Sequence, residues 1–269
     1  MFCSLCLSGQ QRYYFWGMNT LFTGRTLIEL NETTSTNTHA TQLIKQGQVT
    51  EGTVVWAHFQ SSGRGQTGNT WLAEKGKNLT FSLVIHPNFL SAEKQFYLSK
   101  ITSLAVLGML TEYLPASQYD IQIKWPNDIL VNNRKIAGIL IESILRGNAV
   151  QSSVIGLGLN VNQQDFSGVQ KAATSLSILL KKDYDLKEIL ALFCKHFEAL
   201  YLNLKQNKFD WLNKSYLNNL NRFNEFADYK SGGKTFSAKL TGVEESGLLV
   251  LTTEQSEIRK FNFKEVEFL

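Results

Sequence analysis

FQSSGRGQTGNTWLAEKGK, residues 59–77, decides how this chain is read. A strand-like run, TVVWAHF at 53–59, leads into it, and a second, NLTFSLVI at 78–85, leaves it. A hairpin turn between two such strands needs only a few residues. A polar connection this long, with Gly63, Gly65 and Gly68 around Arg64 and then Trp71, is either a mobile connector or a loop that folds over a ligand. Glycines let backbone N–H groups approach an anion, and Arg64 adds charge. The loop alone leaves both readings open.

Outward from the loop, residues 26–30 read as a short strand. Residues 31–38, rich in cap-forming side chains, then precede a helical pattern with Ala40, Leu43 and Ile44 on one face and Gly47 at its end. Ser35, Thr36 and Asn37 are explained by an N-cap, and the same residues also offer hydroxyls, an amide and free N–H groups to a polar ligand. Residues 91–114 read as one long helix with Leu98, Ile101, Leu104, Ala105, Leu107 and Gly108 on or near its buried side, stopped by Pro115. Residues 121–142 read as a strand broken at Pro126 followed by a hairpin, with Asn132-Asn133 able to take the positive φ of a tight turn. A further strand covers 149–162. Consecutive hairpins predict a mixed, mostly antiparallel sheet flanked by helices, an α+β fold rather than a doubly wound parallel one. Amphipathic helices are expected over 186–204 and about 209–220. From Arg222 short strands and glycines predict a small β-barrel. The domains expected are therefore an extension at 1–24, a main domain at 25–221 and a small C-terminal domain at 222–269.

Composition excludes several classes. The net charge of +4 is mild and no block of five like charges occurs, which argues against nucleic acid as a partner. From Arg222 onward seven Lys and Arg stand against eight Asp and Glu, which argues against a nucleic-acid-binding barrel. Three cysteines, Cys3, Cys6 and Cys194, argue against a disulfide framework, and the CxxC spacing of the first two lacks companion metal ligands. The most apolar stretch, 101–110, is too short for a membrane span and contains Thr102 and Ser103. Residues 1–22 lack the basic start of a signal peptide, and Met18 is an alternative start. The expected location is the cytoplasm.

Four polar clusters thus fall at strand ends, turns or strand interiors: Ser35-Thr36-Asn37; 60–71; KWPND at 124–128 with Lys135 and Gly138; and GLGLN at 156–160, where glycines inside a strand need something close by to justify them. In this order and spacing, the ST-N opening, GRGQTGNTW, KWPNDI with RKIAGILIE, and GLGLNVN resemble the biotin–protein ligases, that is, biotin–[acetyl-CoA-carboxylase] ligases. The resemblance runs from about Thr26 to the end of the chain. It implies a catalytic domain of the class II synthetase type, an SH3-like barrel, and two reactions: biotin plus Mg-ATP to biotinyl-5′-adenylate, then transfer to one lysine of a biotin carboxyl carrier domain. It implies Mg²⁺ with ATP as cofactor, and it leaves a homodimer open. Such chemistry takes both nucleophiles from substrates, so the absence of a Ser-His-Asp or Cys-His arrangement is no obstacle.

By the same resemblance, Ser35, Thr36, Asn37 and Gln60 face biotin, with Gly138 and Gly158 giving room. Gly63, Arg64, Gly65 and Gln66 wrap the ligand. Lys124, with Arg64, is catalytic, bridging the biotin carboxylate and the α-phosphate, although a strand-end lysine by itself reads as solvated. Trp71 covers adenine or plugs the space beneath the loop. Asn69, Asn127, Lys135 and Asn160 are nucleotide contacts, and Asp128 either holds Mg²⁺ through water or ends its strand. Some members carry arginines where this chain has Gln66 and Asn69, which implies either a looser hold on the adenylate or the use of Lys75 or Lys77 in their place. Other members carry an N-terminal helix-turn-helix, for which the 25 or so residues here leave no space. Two rivals stay open: a lipoate ligase or octanoyl transferase of the same fold, and a non-catalytic binding regulator.

Overall fold

The computed structural model describes the backbone of residues 4–6, 11–15, 19–66, 68–167 and 172–269, and side chains from residue 19 on. Cys3 and Met18, singled out from the sequence, lie outside the described residues. In chain order the elements begin β1 (Ser4–Cys6), β2 (Gln11–Phe15), β3 (Thr26–Leu30), α1 (Thr36–Lys45), β4 (Val54–Ala57), β5 (Leu79–Ile85) and α2 (Phe96–Thr111). They continue with β6 (Ile121–Lys124), β7 (Asp128–Val131), β8 (Arg134–Arg146), β9 (Ala149–Leu159), α3 (Leu176–Leu180), α4 (Leu186–Lys205) and α5 (Phe209–Asn218). The last five strands are β10 (Phe226–Ser231), β11 (Lys234–Val243), β12 (Leu249–Thr253), β13 (Ile258–Phe261) and β14 (Glu267–Phe268).

Among the described residues nine strands make one sheet, in the order β1-β2-β3-β4-β5-β9-β8-β7-β6, and of its strand pairs β3–β4 alone is parallel. Helix α1 connects those two strands. The mixed, mostly antiparallel sheet expected from the hairpins is the one observed. Period-two alternation gives the sheet two unlike faces. One receives α1, whose Ala40 and Leu43 pack on Ile28, Val55, Val84 and Val154. The other packs on α2 and α4, with Phe81 edge-on to Phe193. The last five strands form a separate all-antiparallel sheet, β13-β12-β11-β10-β14, the small β domain the sequence leads one to expect. Among the described residues no helix is long and apolar enough to cross a membrane.

The helix read over 91–114 is shorter and more buried than its pattern suggests. Ala92 N donates to Asn148 O at 2.9 Å and Val150 N to Leu90 O at 2.9 Å, so the tip of the β8–β9 hairpin claims the first residues, which form only a 3₁₀ turn. From Phe96 the helix is buried on nearly every side, including Lys100, Thr102 and Ser103, because α4 and the sheet cover one flank and α5 with the C-terminal domain the other. Helix α3 was not anticipated. Ser175 caps it, its Oγ accepting from Ile178 N at 3.2 Å, and Thr174-Ser175 before Leu176 was the available signal.

Candidate functional site

The floor of the site is built by strand register. Ser82 of β5, Gly156 of β9 and Leu140 of β8 stand side by side, and so do Thr80, Gly158 and Gly138. These residues share the α1 face, and three of the six are glycines, so the face is shallow there and α1 and the loop can come close. Above it lies a cavity of about 680 Å³. Its lining draws together Ser35, Thr36, Asn37, Gln60, Arg64, Gly65, Gln66, Asn69, Trp71, Lys124, Asn127, Asp128, Lys135, Gly138 and Gly158. Gly63 and Asn160 are the two sequence-assigned residues outside that lining. Gly63 accepts from Trp71 N at 2.9 Å, and a Cβ there would collide with the Trp71 carbonyl. Asn160 donates from Nδ2 to Thr174 O at 3.0 Å, a brace for the segment leading into α3.

At the head of α1 the local chemistry departs from a simple cap. Ser35 occupies the N-cap position but makes no cap hydrogen bond with its side chain. Gln60 supplies the acceptor from another segment: its Oε1 receives Thr36 N at 2.7 Å and Thr36 Oγ1 at 3.1 Å. It is held there because residues 33–34 and 59–62 run alongside each other, with Thr33 N bonded to Phe59 O and Ser61 N to Thr33 O. Asn37 is fixed on both ends of its amide. Its Oδ1 accepts from Ser82 Oγ at 2.6 Å, and its Nδ2 donates to Leu140 O at 3.2 Å and to Glu142 Oε2 at 2.8 Å. Gly156 makes this geometry available, since a Cβ there would sit 3.0 Å from Asn37 Cγ. Ser82, Glu142 and Gly156 are the residues that the assignment of roles missed. Gly156 and Glu142 stood at the edges of recognised motifs, whereas Ser82, in the middle of an ordinary apolar strand, gave no signal.

The described residues of the loop make a small hairpin over this floor. Arg64 and Thr70 form an antiparallel bridge, Gly65 N donates to Asn69 O at 2.9 Å, and Asn69 N to Gln66 O at 2.8 Å. Trp71 then lies across the sheet. Its ring would collide with a Cβ on Gly158 and lie 3.2 Å from one on Gly138, so both glycines make room for the indole. The Trp71 Nε1 is buried with no hydrogen-bond partner. Arg64 Nη2 pairs with Glu142 Oε2 at 2.6 Å.

Opposite the loop stand the cations of β6 and β8. Lys124 faces Asp128 in the β6–β7 register, yet Asp128 Oδ1 pairs with Lys135 Nζ at 2.7 Å. The Lys124 ammonium therefore has no ion pair among the described residues; its one ring neighbour is Phe268 of β14, centroid 5.8 Å away. Asn127 Nδ2 donates to Ile139 O at 2.7 Å, which locks the turn after Pro126. The C-terminal domain closes this end: Trp125 Nε1 donates to Gly247 O at 3.0 Å, and Lys264 Nζ lies 3.7 Å from where a Cβ on Gly68 would be. Among the described residues no group of three or more His, Cys, Asp or Glu stands together to hold a metal, and Asp128 is engaged by Lys135.

Comparison with known proteins gives the site its context. The Biotin/lipoate A/B protein ligase family profile matches residues 30–160. The bifunctional ligase/repressor BirA of Bacillus subtilis (strain 168) is 32% identical over 258 residues, covering 94% of this chain and 77% of that protein. A biotin–[acetyl-CoA-carboxylase] ligase of Paracoccus denitrificans is 30% identical over 228 residues, covering 82% and 92%. The biotin protein ligase of Aquifex aeolicus, solved in complex with biotin and ATP, superposes with a TM-score of 0.73 at 28% identity, covering 90% of this chain and 98% of that one. Sequence likeness along nearly the whole chain and a shared three-dimensional frame converge, and the chain belongs to the biotin protein ligase family.

Proposed function

We propose that this chain joins biotin to ATP as biotinyl-5′-adenylate and passes the biotinyl group to a lysine of a biotin carboxyl carrier domain of a carboxylase. In the first step a biotin carboxylate oxygen bonds to the α-phosphorus, the bond to the bridging oxygen breaks, and pyrophosphate leaves. In the second the deprotonated ε-amine of the acceptor lysine bonds to the acyl carbon, AMP leaves with the electron pair, and the nitrogen sheds its extra proton. Two anions must meet in the first step, so the protein's task is to position them and neutralise charge.

The observation that carries the reading is the Lys124 ammonium, lining the cavity between the head of α1 and the loop with no carboxylate of its own. Its role in this reading is to bridge the biotin carboxylate and the α-phosphate, where charge grows in the transition state. Arg64 approaches the same group from the loop. Thr36, Asn37 and Gln60, fixed by the bonds described above, form the biotin end, with Ser35 offering its hydroxyl. Trp71 covers the adenine end. Lys135, Asn69 and Asn127 lie along the nucleotide side. Asp128 pairs with Lys135 on the nucleotide side, and magnesium arrives on the ATP phosphates as part of the substrate. Residues 25–221 carry the chemistry and 222–269 brace the strand of Lys124. The reaction belongs in the cytoplasm, where carboxylases and ATP meet. Pyrophosphate exchange into ATP tests the reading: biotin supports exchange, and exchange supported instead by lipoate or octanoate overturns it.

A further inference from the structure

One carboxylate oxygen joins the two ends of the site. Glu142 Oε2 accepts from Asn37 Nδ2 at 2.8 Å, on the buried head of α1, and from Arg64 Nη2 at 2.6 Å, on the loop. The two bonds differ in kind. Asn37 is held from three sides and has nowhere else to turn, because Ser82 and Leu140 O take its other bonds and Gly156 lies against it. Arg64 is the loop's single arginine, and both it and Glu142 keep more than a third of their side-chain surface in solvent. An ion pair so exposed is weak and exchangeable.

We propose that Glu142 is a positioning residue that stands in for the ligand's anion: it holds Arg64 over the site in the ligand-free protein and yields it to the biotin carboxylate when that ligand enters. The inference rests on the ligase reading for the identity of the anion. It follows that Glu142 opposes binding of a charged ligand, since it competes for the same guanidinium, and leaves a neutral one unaffected. Its bond to Asn37 persists through the exchange and keeps the biotin end in register while the loop changes partner.

Glu142→Gln separates these effects, because glutamine retains an oxygen acceptor for Asn37 and removes the charge. Two measurements follow. In the ligand-free protein, trypsin should cut after Arg64 several-fold faster in Glu142→Gln than in wild type, read from fragment masses. By calorimetry, Glu142→Gln should tighten biotin about two- to fivefold, the range a half-exposed ion pair supports, while biotinamide, which lacks the carboxylate, is unchanged. In an Arg64→Gln background the same substitution should no longer alter the ratio of the two affinities. Glu142→Ala, which also drops the Asn37 acceptor, should weaken both ligands. Cleavage at the wild-type rate, or an equal change for biotin and biotinamide, overturns the proposal. A wild-type protein that binds neither compound overturns the ligase reading instead, and the cleavage rate still decides whether Glu142 holds Arg64.

Discussion

Lys124 and Gly156 are the two positions where a single side chain decides the outcome. Replacing Lys124 with alanine removes the one cavity-lining cation without a carboxylate partner among the described residues. Pyrophosphate exchange should fall about 10²–10³-fold, the usual cost of losing one preorganised charge-stabilising donor, while calorimetry still detects biotin; exchange at the wild-type rate would remove Lys124 from the reaction. Gly156→Ala puts a methyl group against Asn37 and must turn its amide. The KM for biotin should rise about tenfold, the scale of one misplaced buried polar group, with the KM for ATP changed far less; equal changes in both would show a general distortion. Legibility at this scale tracked chemistry. Lys124, Arg64 and the glycines are residue types that a strand or loop needs a reason to hold. Ser82 was invisible because its role comes from the register that sets it opposite Gly156, a relation between strands far apart in sequence.

Loop and helix depend on each other as elements. Gln60, at the root of the loop, caps α1 in place of the Ser35 side chain. Gln60→Ala should lower stability by about 1 kcal/mol, as loss of an N-cap does, and should raise the KM for biotin as well; a thermal unfolding midpoint equal to wild type would show that water replaces the cap at no cost. The loop's second half carries Gln66 and Asn69, whose backbones close its small hairpin. Arginine at 66 and 69 should slow release of biotinyl-adenylate in a rapid-dilution assay, and an unchanged off-rate would show that adenylate retention is set elsewhere. The sequence made plain that residues 59–77 were too long for a turn. It did not disclose the Arg64–Thr70 bridge or the indole laid over two glycines, because each depends on the floor beneath the loop. The helix 91–114 was over-extended for a related reason: a hairpin tip some fifty residues further along the chain takes its first turn.

Across the whole molecule, α2 is the joint between the catalytic sheet and the C-terminal domain, and Lys100 is buried in that joint. Its ammonium donates to Asn213 Oδ1 at 2.7 Å and Val243 O at 3.4 Å and lies 4.6 Å from the Tyr97 ring centroid. Burial lowers its pKa from 10.5 to about 8. The unfolded chain therefore holds the proton over a range where the folded protein has released it, so folding stability should rise with pH from about 8 toward 10. Lys100→Met should abolish that rise in urea unfolding; a wild-type profile as flat as the variant's would contradict the assignment. Above that window the buried phenols act in the opposite sense, Tyr97 being pushed up to about 12 by burial. The mostly antiparallel character of the main sheet and the small C-terminal β domain were readable from hairpin spacing; the β5–β9 pairing, between strands far apart in sequence, was not. The fit of that domain onto Trp125 and Lys124 was not, because Gly247 and Phe268 carry no pattern that points to a partner more than a hundred residues away. ATP-driven transfer of biotin onto a carrier lysine through Lys124 is read out by incubating the protein with biotin, Mg-ATP and a biotin carboxyl carrier domain and probing the carrier with avidin. The carrier should become labelled, and its labelling should require both ATP and Lys124. An unlabelled carrier would rule out the transfer, and labelling that persists without ATP or with Lys124→Ala would rule out ATP or Lys124 as its agent.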